Sequence, residues 1–229
     1  MGINDGLVGY WQFDEKEGPT VLDRSGNSNH GAIINGSRSE GKYGQALALT
    51  GSDDSHVSIP SSASLNSFTD QITVMAWVFP NVPPDEFNVV VSRQVGTLLH
   101  PDQFYLGFGP EDGNMHYKWH LGTDDGASDP LPEGDIYEGT PENNRWIHMA
   151  GTYDGSIMRL YIDGVEIGTQ ALSGSIRVDD NPVTIGGEEN GSTPQVVDGE
   201  FAGLIDEVRI YNRALDATEV FEVFELDSD

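Results

Sequence analysis

Turn signals built on glycine, aspartate and asparagine recur about every ten residues, between short runs of β-branched and aromatic side chains. That spacing leaves little room for long helices and points to many short strands joined by tight turns, the pattern of an all-β sandwich or barrel. Strands are expected at Leu7–Phe13, Gln45–Leu49, His56–Ile59, Ile72–Phe79, Asn88–Arg93, Gln103–Phe108, Met115–Leu121, Trp146–Tyr153, Ser156–Ile162, Val165–Thr169, Val183–Ile185 and Phe201–Tyr211. Asp112-Gly113, Asp154-Gly155 and Asp163-Gly164 supply the positive-φ residues of hairpin turns, and the last two make Trp146–Thr169 a meander. Only Asp216–Glu225 has the pattern of a helix, with Asp216 as cap, Glu219 at capping-box spacing, and Val220, Phe221 and Phe224 on one side to dock on a sheet. Gly122–Asn144, rich in Gly, Pro, Asp and Glu, is expected to be a long loop. No linker or shift in composition divides residues 1–229, so one domain is expected.

Alternation assigns faces within the strands. Ile72, Val74, Ala76 and Val78 form one apolar row, which puts Thr73, Met75 and Trp77 on the other side. Phe104, Leu106 and Phe108, with Met115, Tyr117, Trp119 and Leu121, likewise turn Tyr105, His116, Lys118 and His120 outward.

Charge narrows the function classes. Against 38 acidic residues stand 11 basic ones, a formal net charge of −27. Such a surface repels nucleic acid and anionic membranes. Only Lys16, Lys42 and Lys118 are lysines, and an excess of carboxylates is tolerated best where salt screens it, so adaptation to molar salt is expected, with an ordinary acidic secreted protein as the alternative. Zero cysteines exclude disulfides, a thiolate nucleophile and Cys-ligated metal. No stretch approaches the roughly 18 apolar residues of a membrane helix, and Met1–Gly6 has no basic, apolar secretory character.

Several motifs together resemble one family. Gly9-Tyr10-Trp11-Gln12-Phe13-Asp14, then Leu22-Asp23-Arg24-Ser25-Gly26-Asn27 with Gly31, is similar to the opening of laminin G-like domains of the concanavalin A-like lectin/glucanase superfamily. Ala76-Trp77-Val78, Trp146-Ile147-His148, Gly151-Thr152-Tyr153-Asp154-Gly155, Leu160-Tyr161-Ile162-Asp163-Gly164 and Leu204-Ile205-Asp206-Glu207-Val208-Arg209-Ile210-Tyr211-Asn212-Arg213-Ala214-Leu215 follow in the family's order. The resemblance implies a two-sheet antiparallel jelly-roll sandwich, here with one short C-terminal helix. It does not imply one activity, because the family contains binding modules, adhesion domains and some hydrolases and lyases.

Asp206 lies in an otherwise apolar strand row of Leu204, Val208 and Ile210, so its carboxylate needs a cation or several donors. The Asp23–Gly31 loop offers a carboxylate, side-chain amides and a backbone able to turn carbonyls inward, the hard-oxygen chemistry of Ca2+ rather than Mg2+. By resemblance, the calcium ligands are expected at Asp23, Gly26, Asn29, Gly51 and Asp206, clamping the N-terminal segment to the last strand. The alternative is an arginine partner for Asp206 and a turn-capping role for Asp23.

The superfamily's glucanases use a Glu-x-Asp-x-x-Glu strand, and Glu133-Gly134-Asp135-Ile136-Tyr137-Glu138 matches it literally. Pro132, Gly134 and Gly139 mark this segment as a loop, so no catalytic residue is assigned there. Zinc shared by His116 and His120 is excluded by a separation of about 13 Å along one strand. For recognition, Trp77, Arg93, Tyr105, His116, Lys118 and His120 are expected to form an aromatic and cationic strip on the concave face, the rings stacking on sugars and the cations donating to hydroxyls or carboxylates. The alternative is that a docked loop covers Trp77.

The expected function is a non-catalytic carbohydrate-binding or adhesion module, stabilised by calcium. Its partner is a polysaccharide or glycoconjugate, with other surface or virion proteins also open, and its place is extracellular, on a cell surface or on a virion. The alternatives are a glycoside hydrolase or polysaccharide lyase, and a structural or receptor-binding surface protein.

Overall fold

In the computed structural model, which describes residues 2–84, 86–94, 102–126, 132–178, 180–189 and 197–226, the aspartate–glycine pairs sit at hairpin tips. Asp112 and Gly113 take φ of 52° and 79°, and Asp163 and Gly164 take 49° and 75°, the left-handed pairs of tight hairpins. At the third tip only Gly155 is left-handed, while Asp154 accepts the amides of Ser156 and Ile157 at 3.0 and 2.9 Å.

The strands in chain order are β1 (Leu7–Trp11), β2 (Thr20–Val21), β3 (Gly31–Ile34), β4 (Ser37–Glu40), β5 (Gln45–Thr50), β6 (His56–Ile59), β7 (Ile72–Pro80), β8 (Asn88–Gln94), β9 (Asp102–Glu111) and β10 (Asn114–Asp124). There follow β11 (Glu133–Glu138), β12 (Ile147–Tyr153), β13 (Ile157–Ile162), β14 (Val165–Ala171), β15 (Ser175–Ile176), β16 (Val183–Ile185), β17 (Glu188–Glu189), β18 (Val197–Asp198), β19 (Ala202–Tyr211) and the helix α1 (Ala217–Leu226). Each expected strand is present, and Trp146–Thr169 forms the expected meander β12-β13-β14.

One sheet has eight strands, ordered β14-β13-β12-β7-β19-β5-β4 with β1 also on β19. The other has nine, ordered β11-β10-β9-β8-β16-β6-β3-β2 with β15 on β10. The inward rows assigned by alternation meet between them: Val74, Ala76 and Val78 belong to the same buried cluster as Phe104, Leu106, Trp119 and Leu121. Among the described residues no helix is long and apolar enough to cross a membrane.

The outer faces of the two sheets differ. On the eight-stranded sheet, Met75, Ala150, Tyr161 and Tyr211 pack under Leu215 and the helix residues Val220 and Val223. The capping box forms as expected: Asp216 Oδ1 accepts the amides of Thr218 and Glu219, and Glu219 accepts the amide of Asp216 at 3.0 Å. The docked face differs from the expected one, because Val220 and Val223 are buried whereas Phe221 is 46% exposed. The corresponding face of the nine-stranded sheet has no helix over it among the described residues, and the cleft described below opens there.

Two sequence expectations are corrected. Within Gly122–Asn144, β10 continues to Asp124 and Glu133–Glu138 is a strand, paired from Gly122↔Glu133 to Tyr117↔Glu138; residues 127–131 lie outside the described residues. Pro132 precedes the ladder, and Gly134 fits within it because Met158 fills the space where a side chain would project. Second, Asp206 does not share a face with Val208 and Ile210. A bulge interrupts the β19–β7 register between Asp206 and Arg209, with Glu207 at φ 52°, so Asp206 faces the side of its partner Trp77.

Candidate functional site

A cleft of about 600 Å³ opens on the outward face of β8, β9, β10 and β11 and is closed at one end by β17 and β18. Tyr105, Lys118 and His120 line it, so these three residues of the expected strip do come together. Lys118 Nζ lies 4.8 Å from the ring centroid of Phe87 and 5.0 Å from those of Tyr105 and Tyr137, with Asp135 Oδ1 at 3.3 Å. Gly109 makes this enclosure possible, since a Cβ there would stand 2.9 Å from the Phe87 ring and 3.0 Å from that of Tyr137. Burial lowers the Lys118 pKa, but Asp135 and Tyr137 more than offset it, leaving the ammonium held above its usual range. Burial likewise raises Asp135, and His120, hydrogen-bonded at 3.1 Å, together with Lys118, reverses that to a net lowering.

The floor of the cleft holds polar atoms without partners, although Glu188 is hydrogen-bonded through its side chain to Asp102 and Gln94. Gln94 Oε1, Asp102 Oδ1, His120 Nε2 and Glu188 Oε1 are buried and make no hydrogen bond. Gln94 is 4% exposed and the other three 7%. Burial, then the neighbouring Asp102, pushes the Glu188 carboxyl up to about 9, so Glu188 keeps its proton at neutral pH. Phe87, 42% exposed, stands at the mouth. Of these, Phe87, Gln94, Asp102, Asp135 and Glu188 were not anticipated. Asp135 and Tyr137 follow from the alternation of β11 once that segment is a strand; the nearness of Glu188 to Asp102 is a long-range pairing that no local pattern encodes.

The other strip residues lie elsewhere. Trp77 is on the opposite sheet, 3% exposed, stacked on Phe224 of α1 at 5.6 Å, against His148 at 5.3 Å and under Lys42 Nζ at 4.4 Å. It is covered, as the alternative held, but by the helix rather than by Gly122–Asn144. Arg93 is fully buried and donates to the carbonyls of Leu65 and Asn181 and to Asn66 Oδ1, at 2.8, 2.9 and 2.7 Å. It braces loops. His116, in β10, bonds the Gly139 carbonyl through Nδ1 at 3.0 Å, away from the cleft floor.

The five expected calcium ligands are not gathered at one point. Asp23 Oδ1 accepts the amides of Tyr10 and Ser25, and Oδ2 accepts the Ser25 hydroxyl and the Asn29 amide, all within 3.0 Å. Its lone pairs are occupied, in the turn-capping role. Asn29 donates to the Val8 carbonyl and to Ser64 Oγ, at 2.7 and 2.9 Å. Gly26 closes that turn at φ 94°, and Gly51 packs on Ala202, four residues and about 13 Å along β19 from Asp206.

Asp206 sits instead at a seam, where the edge of β19 passes from β5 to β1. It is fully buried, and Oδ2 accepts the Tyr43 amide at 3.0 Å while Oδ1 accepts that of Glu207 at 2.8 Å. Burial, reinforced by Glu207 and Asp14, pushes its carboxyl up to about 8 despite these donors. The turn at residues 41–44 wraps closely: a Cβ at Gly41 would lie 2.7 Å from Asp206 Oδ2, and one at Gly44 2.0 Å from Asp14 Oδ1. Arg209, the nearest basic candidate on β19, pairs with Glu207 at 2.9 Å. Two carboxylates with no ion pair among the described residues, beside a carbonyl-bearing turn, suit a hard cation, although no three His, Asp or Glu side chains converge for a metal among the described residues.

The Glu-x-Asp-x-x-Glu match fails for a different reason than expected. It is a strand, yet Glu133 and Glu138 are five residues apart in an unbulged ladder and project to opposite faces.

Residues 50–221 match the laminin G-like family model described as the concanavalin A-like lectin/glucanases superfamily. A curated relative, adhesion G-protein coupled receptor V1 of Danio rerio, is 24% identical over 183 residues, 78% of this chain, and the chain spans only 3% of that receptor. Among solved structures, the binding domain of Paraclostridial Mosquitocidal Protein 1 aligns with a TM-score of 0.71 at 19% identity, over 97% of this chain and 52% of that one. Domain 4 of AbnA, a GH43 extracellular arabinanase from Geobacillus stearothermophilus in complex with arabinotriose, gives 0.69 at 22% identity, over 95% and 97%. The binding domain of Botulinum Neurotoxin DC in complex with SialylT gives 0.70 at 16%, over 99% and 52%. Matched over most of its length by the family model and built as a two-sheet antiparallel jelly roll, the chain belongs to the laminin G-like domains of the concanavalin A-like lectin/glucanases superfamily.

Proposed function

We propose that this chain is a non-catalytic glycan-binding or adhesion module whose ligand occupies the cleft on the nine-stranded sheet. The observation that carries the reading is an exposed aromatic ring, Phe87, beside a floor of buried and unpartnered polar atoms at Gln94, Asp102, His120 and Glu188. A sugar ring complements both, stacking its C–H face on the aromatic and directing hydroxyls at groups whose desolvation otherwise costs about 1–3 kcal/mol each. Glu188 hydrogen-bonds Asp102 directly, whereas carboxyls that cleave a glycosidic bond stand about 5–5.5 Å or more apart, which favours recognition over turnover. The complexes of structural neighbours with arabinotriose and SialylT support a polysaccharide or glycoconjugate as partner. The adhesion-receptor relative supports an extracellular or surface setting.

Two further elements belong to the same reading. A calcium ion at the seam of β19 would be held by Asp206, Asp14 and carbonyls of residues 41–44, supplying the positive charge Asp206 lacks. The net charge of −27 suits a protein working in concentrated salt.

A glycan microarray spanning neutral, amino and acidic sugars tests the site. Phe87→Ala should lose about tenfold or more in binding with an unchanged melt, whereas full retention by that variant overturns the assignment of the cleft. Absence of binding to every class overturns the glycan-binding reading itself.

A further inference from the structure

The charges around the cleft do not balance. Asp135 is answered by Lys118 at 3.3 Å and Glu133 by Arg177 at 3.0 Å. Asp102 and Glu188 at the floor make no ion pair among the described residues, and each keeps a buried oxygen without a hydrogen bond. Gln94 adds a third unpartnered acceptor beside them. Acceptors dominate this floor, so it calls for a ligand that donates and brings positive charge.

We propose that the cleft recognises an amino sugar in its free, protonated form, the ammonium entering between Asp102 and Glu188 while the sugar ring stacks on Phe87. The inference rests on the glycan-binding reading and adds the ligand's charge class to it. An ammonium supplies donors and the counter-charge that the carboxyl pair lacks, and charge-assisted bonds of this kind are about twice as strong as neutral ones. Burial and the neighbouring Asp102 raise the Glu188 carboxyl, and Lys118 offsets only part of that, so the pair is still short of counter-charge. The fixed cation of the adjoining wall, Lys118, is answered by Asp135 at 3.3 Å and enclosed by three aromatic rings, which leaves Asp102 and Glu188 without an ion-pair partner among the described residues. Sialic acids and uronates would bring a carboxylate against Asp102 and Glu188, and N-acetylation would remove the charge on which the fit depends.

Calorimetry with the β-1,4-linked trimers of glucosamine and N-acetylglucosamine and the α-1,4-linked trimer of galacturonic acid tests this, on protein supplied with calcium and shown folded by its melt, at about pH 6 and about 0.1 M salt, where surface charges more than about 10 Å apart are screened. The glucosamine trimer should bind at least about tenfold more tightly than its acetylated counterpart, a difference of about 1.4 kcal/mol. That ratio should fall towards one in the double variant Asp102→Asn, Glu188→Gln, and persist in Glu222→Gln, Glu225→Gln, which removes acidic groups from α1 on the other sheet. Equal or tighter binding of the acetylated or acidic trimer overturns the inference and leaves the glycan-binding reading intact. So does a preference that survives the cleft variant or disappears in the helix variant, because the general negative field would then be its source. If none of the trimers binds, and the array of neutral, amino and acidic glycans is also blank, both readings fall.

Discussion

The rings of Trp77 and Phe224 stack 5.6 Å apart, inclined by 25°, so the most conspicuous outward aromatic of the eight-stranded sheet is consumed in holding the C-terminal helix. His148 completes the contact, 5.3 Å from Trp77 and 5.9 Å from Phe224. Phe224→Ala should therefore cost about 1.5–3 kcal/mol in stability and leave Trp77 accessible to quencher. Chemical denaturation and acrylamide quenching of indole fluorescence check this. Glycan binding should be unchanged, and a loss of binding in this variant at full folding would return Trp77 to the ligand site.

Glu188 sets a pH dependence whose sign follows from its raised pKa. An acid held near 9 when folded and near 4.5 when unfolded favours the folded state most below about pH 4.5, and that contribution disappears as pH rises through about 9. The Glu188→Gln variant keeps a neutral amide where the protonated acid stood. Its melting temperature should exceed that of the parent at alkaline pH, with the advantage shrinking towards pH 5, at about 2–4 °C per kcal/mol for a chain of this size. Calorimetric melts across that range decide; parallel curves would show that the carboxyl pair is not held as described.

Sequence patterns located the strands best where a two-residue alternation runs through them, as in β7, β9 and β10, or where an Asp-Gly turn forces the reversal, as in β12, β13 and β14. They located the capping box of α1 for the same local reason. They failed at β11, where Pro132, Gly134 and Gly139 imitate a loop while Met158 from β13 fills the space beside Gly134, a contact invisible in one dimension. The strip failed through sheet assignment. Alternation correctly placed Trp77, Tyr105, Lys118 and His120 outward, but it does not say which sheet an outward face belongs to, and Trp77 is on the one that α1 covers. The bulge at Glu207 shifted Asp206 by one register, which no periodicity foresees. The expected metal partner, Asp23, meets a sufficient set of local donors, whereas Asp14 in the same opening motif reaches the seam through the turn at residues 41–44.

Salt should stabilise this chain strongly. With 38 acidic residues against 11 basic ones, unfavourable repulsion at low ionic strength extends over about 10 Å at 0.1 M and only about 3 Å at 1 M. Thermal melts in potassium chloride should rise by at least about 5 °C between those concentrations, most of it in the lower part of the range where screening changes fastest. A flat profile would mark an ordinary acidic protein whose carboxylates are far enough apart not to interact.

Asp206 and Asp23 separate two accounts of how the chain's beginning is tied to β19. If a cation is held at the seam, chelator should lower the melting temperature of the parent by several degrees, calcium should restore it, and Asp206→Ala should abolish both responses, since the ion's binding free energy adds to stability only in the folded state. Asp23→Ala should cost about 2 kcal/mol through its lost amide and hydroxyl partners, yet keep the full response to chelator and calcium. Differential scanning calorimetry on the three proteins, paired with calcium titration calorimetry, reads both effects. A parent protein indifferent to chelator would remove the cation from the seam and leave Asp206 as a buried, protonated acid held by Tyr43 and Glu207. A calcium response lost in Asp23→Ala but kept in Asp206→Ala would instead place the ion at the N-terminal turn, against the filled hydrogen-bond shell seen there.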